Sequence, residues 1–311
     1  MNIREAAAKF KTNEDCLGYI EQMRWPDGVV RCPECGTDKP VRVERKATSR
    51  NKRGWFYLCS EKSCRHQFSP TSGTIFHDTH LPLIVWFHAI ALMLNAKKGI
   101  SAMQLQRDLG IGGYKTAWYL NHRIREAMID AGAPKLGGIV EIDETYIGGV
   151  QKGKGVKAGK AQKATVFGAR QRGGGLRFIK MSGSNMGTAY QVIAANVDAD
   201  VDLGMTDDSN IYPIAVRALK LADKHRTVRH IYGEYVRGNV HTNTIESAFS
   251  LLKRGILGNF HKVSIKHLQR YLNEFSYRFN RREDADAFIE TVRRLCGFAP
   301  LTFTALTSEK A

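Results

Sequence analysis

Along the chain the spacing of apolar positions changes character three times. It is helical from Ile3 to Met23, and the turn Trp25-Pro26-Asp27-Gly28 ends that stretch. VRVERK (41–46) and GWFYLC (54–59) then alternate apolar and polar residues, as short strands do. From His80 to Ala131 the period is helical again. LPLIVWFHAIALMLNA reads as a buried helix ended by Lys97-Lys98-Gly99, and SAMQLQRDLG (101–110) as a second with Ser101 as its N-cap. GGYKTAWYLNHRIREAMI (112–129) is a third, entered through a tight turn. A helix, a short glycine-containing turn and a helix make the helix-turn-helix pattern, whose second helix enters a major groove. Tyr114, Lys115, Trp118 and His122 are expected at its exposed start.

After Pro134 the chain becomes strand-rich. GGIVEIDETYIGG (137–149), ATVFGARQR (164–172) and LRFIKMSG (176–183) read as three consecutive strands. A helix near Ala189–Ala195 precedes a fourth strand, VDLGMTDDSN (201–210). Tyr212–Ala222 is helical, RHIYGEYVRG (229–238) a fifth strand, and helix resumes from Thr244. Three strands in succession, then alternation of helix and strand, predict an α/β fold, a mixed sheet flanked by helices. FIETVRRLCGF near the C-terminus is an amphipathic helix expected to pack in a core. The expected divisions are 1–79, 80–133, 134–284 and 285–311. No internal repeat is present. GKGVKAGKAQK (153–163) is a basic loop but not a phosphate-binding P-loop, because Ala161 stands where the hydroxyl residue belongs.

Charge narrows the class of partner. The chain has 47 Lys and Arg against 30 Asp and Glu, a formal charge of +17, with a 43% hydrophobic fraction that excludes a wholly disordered chain. Surplus cations of this kind neutralise phosphates and release their counterions, which points to nucleic acid. The longest apolar run, Leu81 to Leu94, falls short of the ~18 residues that span a bilayer. The opening residues MNIREAAAKF lack a signal peptide's apolar region. A cytoplasmic protein with no membrane partner is expected.

Four of the six cysteines cluster as CPEC (32–35) and CSEKSC (59–64). Cys32, Cys35, Cys59 and Cys64 supply four thiolates for a tetrahedral structural Zn²⁺, suited to a segment too small for a core of its own. The second pair is wider than a simple CxxC, and His66 is an alternative to Cys64 as ligand. Cys16 and Cys296 read as ordinary reduced thiols.

Asp143 interrupts an apolar strand, where a carboxylate is costly to bury unless paired or bound to metal. Asp207 and Asp208 end another strand, and Glu246 begins a helix. Brought together, such carboxylates hold Mg²⁺ or Mn²⁺, and two ions of that kind serve in-line phosphoryl displacement. Each has a plainer explanation. Asp208-Ser209-Asn210 is an ordinary turn, Glu246 has capping-box spacing from Asn243, and Asp143 can pair with an arginine.

RWPDGVVRCPEC, FSPTSGTIFHDTHLPL, EIDETYIGG, Thr206-Asp207 and HTNTIESAFSLLKRGILG together resemble landmarks of zinc-ribbon-bearing bacterial insertion-sequence transposases of the DDE superfamily, the ISXO-like group. The resemblance runs from about residue 15 to residue 282. It implies an RNase H-like catalytic core behind an N-terminal zinc ribbon and helix-turn-helix-like segment, and metal-dependent cutting and joining of DNA at transposon ends. It assigns the acidic positions to Asp143, Asp207 (rather than Asp208) and Glu246. It also marks Lys253, two helical turns beyond Glu246 and so on the same face, with Arg254 beside it as a weaker phosphate contact. Expected partners are the inverted terminal repeats and target DNA, held by a homo-oligomer. DNA contacts are expected from the ribbon, from Lys115, and from Lys152, Lys154, Lys157, Lys160 and Lys163 in the loop. The competing readings are a zinc-ribbon regulator with a non-catalytic remnant, and an RNase H-type nuclease that cuts without joining.

Overall fold

A computed structural model describes residues 1–44, 54–130, 132–148, 163–209, 211–228 and 236–308. Chain contacts divide it into two compact units, Met1–Met128 together with the segment that begins at Glu283, and Ile129–Arg282. In the first unit, the single N-terminal helix expected from apolar spacing is two helices, α1 (Ile3–Lys9) and α2 (Asn13–Arg24). Thr12 breaks it. Its hydroxyl accepts from the Asp15 N–H while Asp15 answers the Thr12 N–H, a reciprocal cap that starts a new helix.

Strands β1 (Val41–Glu44), β2 (Trp55–Leu58) and β3 (Gln67–Phe68) form an antiparallel sheet in that order. Trp25, Tyr57 and Phe68 cover it, with ring centroids 5.5–6.3 Å apart. Three helices follow: α3 (Leu83–Asn95), α4 (Ala102–Asp108) and α5 (Tyr114–Glu126). The Ser101 hydroxyl caps α4 by accepting from the Gln104 N–H at 3.1 Å, as its sequence predicts.

The second unit is built on β4 (Ile139–Ile147), β5 (Ala164–Gln171), β6 (Leu176–Lys180), β7 (Leu203–Thr206) and β8 (His225–Thr227). Their order is β6-β5-β4-β7-β8; β4 pairs antiparallel with β5 and parallel with β7. Among the described residues the fifth strand of this sheet is His225–Thr227. Most of the expected 229–238 strand lies outside the described residues, and in what remains Arg237 and Val240 form only an isolated bridge. Helices α6 (Met186–Asn196) and α7 (Ile211–Ala218) cover one face, packing on Val140, Ile142, Phe167 and Ala169. Helices α8 (Asn243–Gly255) and α9 (Leu268–Asn280) cover the other, packing on Ile147, Val166, Leu176 and Phe178. A mixed five-stranded sheet between two helical layers is an RNase H-like architecture.

Gly168 sets how closely α8 lies. It pairs with Asp143 across the ladder, and an added Cβ would stand 2.5 Å from Phe249 Cζ and 2.8 Å from Ile245 Cδ1. Both rings and branches are buried in the core and cannot retreat. Gly168→Ala should therefore lower stability by about 1–3 kcal/mol, read as a lower urea midpoint with an unchanged slope.

Helices α10 (Ala287–Gly297) and α11 (Phe303–Ser308) complete the first unit. Phe288, Val292 and Leu295 are buried, and the Phe288 ring meets Phe10 and Phe87, so FIETVRRLCGF is a core helix as expected. No described helix is long and apolar enough to cross a membrane.

Candidate active site

The parallel pairing of β4 with β7 fixes the centre of the site. Ile139 lies opposite Leu203 and Glu141 opposite Met205, so continuing that register brings Asp143 beside Asp207 at the same end of two central strands. The carboxylates of Asp143, Glu144 and Asp207 can each place an oxygen within 4.8 Å of the other two. Side-chain alternation sends Asp143 toward α8 and Glu144 toward α7. Beyond the end of β7 both nevertheless reach the same space. The Glu144 N–H donates to Asp143 Oδ1 at 2.8 Å, and the buried Tyr212 hydroxyl of α7 donates to Glu144 Oε2. Asp207 Oδ1 accepts from the Ser209 N–H at 3.1 Å.

Clustered negative charge has electrostatic consequences. Burial, reinforced by the charges of Asp207, Glu144 and Glu246, pushes the Asp143 carboxyl up to about 7. Burial also raises Glu144, against the lowering bond from Tyr212, and burial beside Glu144 raises the Tyr212 phenol. Oxygen-only donors that repel one another are relieved by a hard divalent cation, and the geometry fits one.

Glu246 stands in the first turn of α8 with its carboxylate exposed, close enough for its charge to be felt at Asp143 but outside the three-carboxylate group. It is not half of a capping box with Asn243. The N-cap is Thr242, whose hydroxyl donates to Glu246 Oε1 at 2.8 Å, so Glu246 lies one position too far along. Asp208 is outside the carboxylate group. Both aspartates follow β7, which ends at Thr206, rather than ending the strand, and Asp207 is turned in by the bond from the Ser209 N–H. Lys253 and Arg254 are exposed in the last turn of α8. Glu144 escaped the sequence reading. Its only signal was its adjacency to Asp143 in EIDET, which strand alternation argued against.

The four clustered cysteines also converge, with Cys32 Sγ and Cys64 Sγ 3.8 Å apart and Cys35 Sγ and Cys59 Sγ 3.5 Å apart. Tetrahedral thiolates at ~2.3 Å from zinc stand about 3.8 Å from one another, so the sulfurs fit that ion. The widened second pair is accommodated because the Cys64 N–H turns back onto the Glu61 carbonyl, and the Cys59 N–H bonds the His66 carbonyl. The His66 ring stacks on Phe68 instead of joining the sulfurs.

On α5, Tyr114 and Lys115 are exposed, and the Lys115 ammonium lies 4.1 Å from the centre of the Phe303 ring. The expectation fails for His122, which is fully buried, and for Trp118, which is half-buried with its ring against His122. His122 lies where α5 is buried on every side, from Leu120 to Arg125, and Trp118, one turn earlier, packs its ring on it. Of the loop lysines, Lys152, Lys154, Lys157 and Lys160 lie outside the described residues, and Lys163 is half-buried before β5.

Two sequence families match this arrangement in order: residues 11–67 match the transposase zinc-ribbon domain, and residues 135–280 the ISXO2-like transposase domain. The chain carries the transposase domain of the ISXO2-like DDE transposases behind a transposase zinc ribbon. A relative from Halobacterium salinarum, described as an uncharacterized protein in transposable element ISH50, is 29% identical over 285 residues, covering 86% of this chain and 91% of its own. That relative is archaeal, so the likeness reaches beyond the bacterial group that the sequence landmarks suggested. The second unit holds the whole matched transposase domain, and the carboxylate group lies within it.

Proposed function

We propose that this chain binds the ends of an insertion sequence and cuts and joins DNA there by metal-dependent phosphoryl transfer. The observation that carries the reading is the meeting of Asp143 and Asp207 at the ends of paired parallel strands, with Glu144 beside them and Glu246 within electrostatic reach. Two divalent ions, when bound, activate the attacking oxygen and stabilise the leaving one. Asp143 and Asp207 would hold those ions, and Glu246 would supply a further carboxylate to one of them and orient the nucleophile. Water attacks first, breaking a phosphodiester and leaving a DNA 3′-hydroxyl. That hydroxyl then attacks the target phosphodiester, forming one bond as the other breaks. Lys253, seven residues beyond Glu246 on α8, holds a phosphate beside this centre.

The four thiolates hold a structural zinc, and the ribbon with α5 binds the ends, while residues 134–284 carry the chemistry. Two ends must meet, so a dimer or larger assembly on DNA is expected. The test is an assay with authentic ends and Mg²⁺ or Mn²⁺. Cleavage with joining supports the transposase, cleavage alone a nuclease, and binding with neither a regulator.

The basic loop supplies a further expected result. Replacing Lys152, Lys154, Lys157, Lys160 and Lys163 together should flatten the dependence of end binding on salt. Each lost phosphate contact removes about 0.9 from the slope of log affinity against log salt, so five contacts would change it by roughly four to five. An unchanged slope would remove the loop from the DNA interface. Lys115→Ala should change end-sequence preference if α5 reads bases; equal loss on every sequence would make Lys115 a backbone contact.

A further inference from the structure

Glu141 is a fully buried carboxylate two residues before Asp143 on the same face of β4. The mechanism above does not use it. A buried carboxylate is tolerated only when its oxygens are taken up, and here they are. Oε1 accepts from Arg172 Nε at 2.6 Å, with the His241 ring 3.3 Å away. Oε2 accepts from the backbone N–H groups of Thr244 and Ile245 at 2.8 and 3.1 Å. Those two are among the first N–H groups of α8, which have no intrahelical partner. The helix's own N-cap, Thr242, makes no side-chain bond to them; its hydroxyl serves Glu246 instead. The cap of α8 is thus supplied from the strand that carries Asp143.

The neighbouring arginines extend the clamp. Arg170, paired with Glu141 across the ladder, donates to the Thr244 carbonyl at 2.7 Å. Arg172 also donates to the Asn239 carbonyl at 2.8 Å and the His241 carbonyl at 3.2 Å, holding the segment that leads into the helix. Apolar packing of Ile245 and Phe249 on Gly168 fixes how near α8 comes to the sheet. Packing of that kind is non-directional along the helix axis, whereas hydrogen bonds from Glu141 fix one position along it.

We infer that Glu141, held by Arg172, is a positioning residue that fixes the first turn of α8, which carries Glu246, relative to Asp143, so that the Glu246 carboxylate can join a metal ion bound there. This rests on the metal-dependent reading of the site. One strand then carries both a metal ligand and the stop for the element bearing another, so the two cannot drift apart without breaking a buried charge-assisted network.

The test is calorimetric titration of Mn²⁺ into the zinc-loaded full chain, without DNA, for wild type, Glu141→Gln, Arg172→Met, Glu246→Gln and the two doubles with Glu246→Gln. Asp143→Asn marks the site. A position effect and a charge effect separate by sign. If only the local field matters, losing the Glu141 charge weakens Mn²⁺ binding and losing the Arg172 charge strengthens it. If Glu141 and Arg172 act through Glu246, both weaken it, by about tenfold, the usual scale for groups that orient metal ligands. Both effects then shrink below roughly twofold when Glu246 is already Gln. Opposite signs for the two variants, or equal losses in both backgrounds, would overturn the inference. A merely structural role would lower the melting temperature without this dependence on Glu246. Should Glu141→Gln fail to melt cooperatively, Arg172→Met, which leaves the carboxylate in place, decides by its sign alone. Wild type and Asp143→Asn binding Mn²⁺ alike would instead overturn the metal-dependent reading itself.

Discussion

Asp143→Asn and Asp207→Asn are each expected to reduce cleavage and joining by roughly 10²–10³-fold, the scale on which losing one preorganised electrostatic group acts. DNA-end binding should survive, because removing negative charge beside a phosphate backbone relieves repulsion. Asp208→Asn, outside the carboxylate group, should keep most activity. Loss at Asp208 with retention at Asp207 would contradict the site as derived from the β4–β7 register. Glu246→Gln belongs with the inactive variants if its carboxylate completes a coordination sphere, and with Asp208→Asn if its bond with Thr242 is its whole role. Glu144→Gln carries separate information: it removes a clustered charge and leaves the Tyr212 hydroxyl an amide oxygen to bond.

The same residue gives a stability signature independent of activity. With no Mg²⁺ or Mn²⁺ added, Asp143 titrates at about 7 in the folded protein, against about 3.9 in an unfolded chain. Between those values the folded state binds more protons than the unfolded one. Its stability therefore falls as pH rises through that window. Asp143→Asn removes this contribution, so the variant should melt above wild type at pH 8 and lose that advantage near pH 4. Added Mg²⁺ should raise the wild-type melting temperature at pH 8 and leave the variant's unchanged.

Strand alternation made β4, β5 and β6 legible because each is long enough to show a period and has one face on each helical layer. At three residues, β8 is too short to show any, and only its pairing with β7 defines it. The break between α1 and α2 was written in Thr12 and Asp15, but a continuous apolar spacing across it outweighed the cap. In the site, Asp143 and Asp207 stood out as charges ending or interrupting apolar strands. Glu144 did not, since alternation assigns it to the opposite face and only the open end of the sheet lets it return. Glu141 was equally hidden. A glutamate in a strand reads as solvent-facing until the helix whose N–H groups it binds, about 100 residues later, is packed above it.

Cys35→Ser is expected to unfold the ribbon while leaving the carboxylate-bearing unit intact. Among the described residues the ribbon's strands have four, four and two residues, and its buried rings are Trp25, Trp55, Tyr57 and Phe68. So small a core cannot offset the conformational entropy of ordering the segment. Binding of a structural zinc contributes on the order of 10–16 kcal/mol in isolated zinc-finger domains at neutral pH, so the metal, not the rings, is expected to hold this part together. Cys35 is the exposed member of the four, so serine there adds little packing defect, and the effect reports loss of a thiolate. Metal analysis should give one zinc per wild-type chain and none firmly held in the variant. Hydrogen exchange should become rapid in β2 and β3 yet stay slow in β4 and β5, which belong to the other compact unit. End binding should fall with the ribbon. His66→Ala should change none of this, because its ring stacks on Phe68 away from the sulfurs. A zinc-free chain with β2 and β3 still protected would make the four thiols ordinary core residues, and the ribbon's stability would then have to come from packing that its ten described strand residues and four buried rings do not provide.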